Sequence, residues 1–379
     1  MRVEQTQWSR VGGWSPTAPG QSGVAARLVL VFGSRGALLG TSILDEVIRA
    51  YPGAVVTGCS TAGEILGEHV FDDTVVVTAI TFEDTPVTVA SMHLSEASSS
   101  EAVGAALGAR LAAQPLRHVL LFSDGLRVNG SELVRGLTAQ LPPHVSVTGG
   151  LSADGDRFEQ TVVVVDGRAT DGAVVAVGLG GSRLRVGYGS MGGWDAFGPE
   201  RIVTRASGNV LYQLDGKSAL ALYRRYLGDQ ARDLPASGLL FPLRVRRNLE
   251  SEGVVRTILS VSDADDSMTF AGDVVEGSYA QLMRANFDRL IDGASNAASI
   301  SAGALDGRSP ELALLISCVG RKMVLKQRIE EEVEGVRDVV GPAAMLTGFY
   351  SYGEVSPFTP NATCELHNQT MTVTTLSER

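Results

Sequence analysis

Two stretches far apart in the chain share a spelling. Thr57-Gly58-Cys59-Ser60-Thr61-Ala62-Gly63-Glu64-Ile65 and Thr347-Gly348-Phe349-Tyr350-Ser351-Tyr352-Gly353-Glu354-Val355 coincide at Thr, both Gly and Glu, and both end on an aliphatic residue. Each follows a short apolar run, and each leads to a His and then a β-rich run: His69 before 74–82, His367 before 370–376. A related loop, Gly149-Gly150-Leu151-Ser152-Ala153-Asp154-Gly155-Asp156, closes a series of the same order in the middle of the chain. Self-similarity of this kind restricts the fold to one that reuses a unit of strand, helix, strand, Gly-rich loop and strand about three times.

The periodicities around these loops fill in the unit. Residues 28–32 read as a short buried strand, 36–51 as a helix ended by Pro52-Gly53, and 54–57 as the strand entering the first loop. Residues 74–82 and 86–94 then read as a hairpin turning at Glu83-Asp84-Thr85. A helix from Ser98 with Glu101 three residues on, a strand 118–122, a helix from Asn129 stopped by Pro142-Pro143 and a strand 146–148 repeat the order. The last copy has strands at 312–316 and 343–347 around a helix over 324–340. Between the second and third copies, 210–227 reads as helix-rich, 239–245 and 254–261 as strands, a stretch from Ser278 to Ile291 as a helix, and 293–303 as a close-packed turn. Residues 1–24, with two Trp among Gly, Pro and Ser and no period, read as a flexible tail or an arm laid on the domain. The expected class is α/β (α+β): two packed halves of mixed sheets and helices, with boundaries at 25–215 and 216–379.

Charge and cysteine usage exclude several functions. With 32 Lys and Arg against 42 Asp and Glu, the net charge of −10 repels a phosphate backbone, and no basic stripe offsets it. Arg244, Arg246 and Arg247 are the nearest approach and read as a solvated strand edge. The three cysteines, Cys59, Cys318 and Cys364, are odd in number and far apart, which removes a disulfide framework and a zinc ribbon. No apolar run approaches the ~20 residues of a membrane span, and the first residues lack the apolar core of a secretory signal, so the cytoplasm is the expected compartment. The sequon at Asn361 then carries no glycan.

A search for catalytic chemistry returns little. Gly216-Lys217-Ser218 ends like a phosphate-binding loop but has Leu at position 211, and Asp263 to Ser267 begins like a calcium loop without its later ligands. Cys59 or Ser60, on a tight Gly-flanked turn after a strand, has the local shape of an acyl-transfer nucleophile, yet no His is spaced to serve it. The three Gly-rich loops carry the most information. Gly58, Gly149 and Gly150 would let backbone N–H groups approach an anion. Cys59, Ser60, Thr61, Ser152, Tyr350 and Tyr352 would stand beside them, with Glu64, Asp156 and Glu354 to hold a cationic group. That set suits a small zwitterion such as an amino acid.

These same segments resemble the FIST family (F-box and intracellular signal transduction). Gly58 to Ile65, Gly149 to Asp154, the run ending in Val165-Asp166-Gly167, and Asp215-Gly216-Lys217-Ser218-Ala219 before Tyr223 and Tyr226 are similar to its amino-terminal half. Gly348 to Val355 and Cys364-Glu365-Leu366-His367-Asn368-Gln369-Thr370 resemble the close of its carboxy-terminal half. The resemblance implies a sensory module for small ligands such as amino acids, linked to histidine kinases or cyclic-dinucleotide enzymes. Here the output would be a separate partner. It also implies an alternative, a haem protein that senses nitric oxide and regulates a histidine kinase, with His367 or His93 as axial ligand. No nucleic acid, membrane insertion or catalytic constellation is expected.

Overall fold

The structure, a computed structural model, describes residues 1–248, 250, 253–358 and 362–378. Asn361 of the sequon lies outside the described residues. Three of the four sheets follow one plan. In the first repeat Leu28–Gly33 and Val55–Ser60 run parallel across the helix Ile43–Ala50, and Thr74–Thr81 returns antiparallel on the other side of Leu28–Gly33. The second repeat sets Leu116–Ser123, the helix Gly130–Gln140, Ser146–Leu151 and Ala173–Gly180 in that order. The third does so with Leu312–Cys318, Ile329–Val340, Met345–Ser351 and Met371–Ser377. An outer strand lies beside each return strand: Arg2–Ser9, Val87–His93 and Arg185–Met191.

The repeats are interlocked. After each Gly-rich segment the chain leaves its own sheet and forms a hairpin on another. Glu64–Leu66 pairs with Met345–Ser351, Val163–Val165 with Val55–Ser60, and Gly353–Pro357 with Ser146–Leu151. Each repeat therefore completes a neighbour's sheet, and the exchange closes in a ring around a pseudo-threefold axis. Central strands such as Thr74–Thr81 are buried nearly throughout, which explains their Val- and Ile-rich spelling without alternation. The helix after Asn129 begins on the cap legible in the sequence, Asn129 Oδ1 accepting from the N–H groups of Ser131 and Glu132. The preceding helix is capped by Ser99 Oγ accepting from Ala102 N–H, one residue after the Ser98 that the sequence suggested. On the axis the rings of Phe32, Phe122 and Phe349 meet, with centroids 4.7 to 6.3 Å apart. Each such buried ring contributes about 2–3 kcal/mol by removal of its surface from water.

Residues 194–285 form a separate β-rich module inserted into the third repeat, between the outer strand Arg185–Met191 and the helix Phe287–Gly303. Its eight-stranded sheet curls so that its two end strands, Val254–Arg256 and Ile258–Ser262, are consecutive in the chain with only Thr257 between them.

The repeated unit and the α/β class stand as the sequence suggested; several local readings change. Residues 1–24 do not begin as a flexible tail: Arg2–Ser9 pairs with Thr74–Thr81 along its whole length, and Trp14 Nε1 donates to Glu46 at 2.8 Å. Thr74–Thr81 and Val87–His93 are not a hairpin but belong to different sheets, because Glu378 accepts from the N–H groups of Glu83, Asp84 and Thr85 and redirects the chain. The stretch from Ser278 opens as the strand Tyr279–Ala285, and the helix Phe287–Gly303 occupies the span read as a turn. The division between 215 and 216 falls in a turn between Val210–Leu214 and Lys217–Ser218, which pair inside the module's sheet. It separates two stretches of sequence rather than two folded bodies.

Candidate functional site

The three Gly-rich segments do meet, at the ends of the central strands around the axis. Ala62 N–H donates to Tyr350 O, Ala153 N–H to Ser60 O, and Tyr352 N–H to Leu151 O, so the segments tie one another in a cycle. Gly58, Gly149 and Gly348 lie inside strands, not loops. A Cβ at these positions would stand 1.9, 1.9 and 1.8 Å from the carbonyl oxygens of Val31, Leu121 and Leu315. The recurrence of glycine at these three positions is explained by this close approach of backbones. Cys59, Gly150 and Phe349 occupy equivalent positions facing the axis, and the Phe349 ring fills the space that Gly150 leaves.

Apart from the exposed Asp156, the hydroxyls and carboxylates expected to face a ligand are buried and spend their hydrogen bonds within this hub. Ser60 Oγ accepts from Val162 N–H at 3.0 Å, Ser152 Oγ donates to Ser123 O, and Tyr350 OH donates to Glu332 at 2.7 Å. Glu64 accepts from the hydroxyls of Thr61 and Thr74 and from Thr74 N–H; Glu354 does the same with Ser351 and Thr370. These two carboxyls are one structural clamp used twice, pinning the start of the return strand. Burial pushes Glu64 up to about 7 and Glu354 to about 8. Tyr352 stacks on Phe158 at 4.5 Å and donates to Asp154, a buried carboxylate the sequence reading passed over, while Asp156 is exposed beside it. As these residues are arranged, the backbone cycle and the aromatic plug fill the space between them. Cys59 is enclosed in the same core, and burial holds its thiol well above its ordinary value, so it lacks the thiolate that acyl transfer needs.

Open space lies elsewhere, at the seam where the module meets the second and third repeats. A cleft of about 600 Å³ runs between the helix Gly130–Gln140, the end strand Val254–Arg256 and the strand Cys364–His367. Its walls carry Arg135, Arg247, Arg256, Asp273, Glu365 and His367 above an apolar base of Val245, Val254 and Leu366. Arg135 is committed to Glu101 and Asp273, whereas Arg247 and Glu365 are exposed. Asp273 is bonded across the seam to Asn129, Arg135 and Ser131, Trp194 Nε1 donates to Gln369 O, and a further group of bonds centres on Arg256 and Thr257. Arg256 Nη1 donates to Leu366 O at 2.9 Å, Thr257 N–H to Asn368 Oδ1 at 3.2 Å, and Gln369 Nε2 to Thr257 Oγ1 at 3.2 Å. The segment 364–369 thus latches the open edge of the module to the repeats.

Comparison with protein families matches residues 27–217 to the FIST N domain and 219–357 to the FIST C domain. The chain belongs to the FIST family. FIST domains are small-ligand-sensing domains of signal transduction. The boundary between the two matched domains runs through the module's sheet, so in the FIST fold seen here the two domains share one folded body. The match ends before the latch segment 364–369. Comparison with curated proteins gives no match. Among solved structures, a cyanuric acid hydrolase from A. caulinodans aligns over 100% of this chain and 99% of its own, with a TM-score of 0.40 and 9% identity.

The haem alternative tied to the FIST resemblance turns on two histidines. His93 is half-buried at the end of its strand, where its Nδ1 accepts from Ser95 N–H at 3.1 Å to cap a short turn. His367 is buried on the cleft wall, with Nε2 donating to Ser356 O at 2.9 Å and burial holding the ring down at about 4. The nitrogen that projects furthest from the backbone is thus spent, and the residues as arranged do not fit an axial ligand set. Among the described residues no cluster of His, Cys, Asp and Glu is placed to hold a metal ion, and no helix is long and apolar enough to cross a membrane. The cleft residues Arg135, Arg256 and Asp273 escaped the sequence reading because they lie in three different elements with no shared spacing. The one signal available was the run of polar residues at 364–370.

Proposed function

We propose that the chain is a sensory protein that binds an amino acid or related metabolite in the seam cleft and acts on a separate partner. The observation that carries this reading is the position of the cleft. It lies where the inserted module meets the second and third repeats, so a ligand seated there contacts both walls at once. A ligand shifts an equilibrium between two arrangements of the walls only by its difference in affinity for them, and contact with both walls supplies that difference. Exposed Arg247 and Glu365 offer charges of both signs to a zwitterion. A histidine kinase or a cyclic-dinucleotide enzyme is the class of partner that the family resemblance suggests.

A thermal-shift series with the standard amino acids and small dicarboxylates tests the reading. At least one compound raises the midpoint without being consumed, and Thr138→Trp, which puts an indole into the cleft, removes the shift. No shift from any compound, or one that survives Thr138→Trp, contradicts it. The haem-sensor alternative requires His367 to release Ser356 O, and an intense Soret band in the purified protein that is lost in His367→Ala would favour it instead.

A further inference from the structure

Arg256 stands out among the buried groups of the molecule. Its side chain is 5% exposed, yet its partners are Asp273 O at 3.0 Å, Leu366 O at 2.9 Å, Val255 O at 3.4 Å and Ser131 Oγ at 3.4 Å. All are neutral acceptors, and no carboxylate among the described residues forms an ion pair with it. The contrast is with Arg321, fully buried, which meets Glu332 at 2.7 Å. Asp273 turns its backbone carbonyl to Arg256 while its carboxylate is taken by Arg135 and Asn129. A guanidinium has five N–H donors, of which Nη2 carries two, and Nη2 makes a single long contact to Ser131. Glu365 and Asp273 act on Arg256 only through space, with no hydrogen bond from either carboxylate, and a buried guanidinium without a bonded carboxylate costs folding free energy. The surroundings are close-packed: a Cβ on Gly272 would stand 2.5 Å from Ser131 Oγ, 2.9 Å from Leu366 Cδ2 and 3.3 Å from Arg256 Cζ.

We infer that Arg256 anchors an oxyanion subsite at the base of the seam cleft, made to take a carboxylate or phosphate group of the ligand. This rests on the cleft being the ligand site. The planar fork suits two oxygens of one such group, a geometry that lysine does not reproduce. The same guanidinium holds Leu366 O on the latch, so an oxyanion drawing Nη2 toward the cleft acts directly on a bond that crosses the seam.

Calorimetric titration of the full chain with succinate, inorganic phosphate and the standard amino acids, each beside its neutral amide or ester, tests the inference. At least one acid binds, its neutral counterpart binds tenfold or more weakly, and Arg256→Gln loses tenfold or more while Arg256→Lys recovers part. Binding of carboxylates alone, or of phosphate alone, identifies the source of the group. An acid and amide that bind wild-type protein equally, in a manner blocked by Thr138→Trp, overturn the oxyanion subsite and leave the cleft as the ligand site. No binding by any compound overturns both. The acid-against-amide comparison needs no variant, so it stands even if Arg256→Gln fails to fold.

Discussion

Glu64→Gln should flatten the pH dependence of stability in a definite direction. Glu64 is buried, clamps Thr74 and is pushed up to about 7 from an ordinary value of 4.5. A carboxyl that keeps its proton better in the folded state than in the unfolded chain stabilises fully below pH 4.5. That contribution is lost as pH rises through about 7. At roughly 1.4 kcal/mol per pH unit, the interval amounts to about 3 kcal/mol. An unfolding entropy of about 2 cal/mol/K per residue over the chain converts this to roughly 4 °C in Tm. Glutamine is isosteric, accepts from Thr74 and donates to the Thr61 hydroxyl without a titration. Scanning Tm from pH 5 to 8.5 by circular dichroism, wild type should fall relative to Glu64→Gln by about that amount. The buried histidines His118 and His367, held down at about 3 and about 4, contribute stability above the unfolded histidine value and lose it as pH falls. They act alike in both proteins and cancel in the difference. Parallel Tm curves for the two proteins would refute the reasoning.

Other outcomes concern the hub and the buried pair. Gly149→Ala places a Cβ 1.9 Å from Leu121 O and should cost more than about 3 kcal/mol, seen as loss of soluble folded protein, whereas Gly36→Ala, with open space around it, should stabilise by up to about 1 kcal/mol in urea melts. Glu332→Leu strands the fully buried Arg321 and should cost about 3–5 kcal/mol; the double variant Arg321→Met with Glu332→Leu should regain only part of it, because Tyr350 OH and Ser317 Oγ still lose their acceptor. All three cysteines are buried with thiols pushed up by burial, so native protein should resist a thiol-specific reagent and react only on unfolding.

The repeated unit was legible because its reasons are local: a Thr-Gly pair where two backbones approach, apolar runs of strand length, and caps such as Asn129. The path of the chain after each Gly-rich segment was not legible, since the hairpins leave their own sheet and only tertiary pairing decides where they go. Glu64 and Glu354 illustrate the consequence. A hydroxyl residue three positions before a carboxylate on a Gly-rich turn has the composition of an anion- or amine-binding loop, and only the swapped hairpin reveals that both serve the return strand. Tyr279–Ala285 misled for a different reason. Leu282 and Met283 fit helical spacing, but pairing with Trp194–Ser207 on one side and Leu243–Arg246 on the other overrides it. The cleft was beyond reach because Arg256 and Ser131 come from elements that approach only through the inserted module.

The central claim, that the seam is where a small molecule acts, is tested most directly by hydrogen exchange with succinate, phosphate or whichever amino acid gives the largest thermal shift. Protection should rise at 254–257 and 364–369, on the two sides of the latch, while the hub strands around Gly58, Gly149 and Gly348 stay unchanged. Protection confined to the hub, with the latch unaltered, would contradict the account.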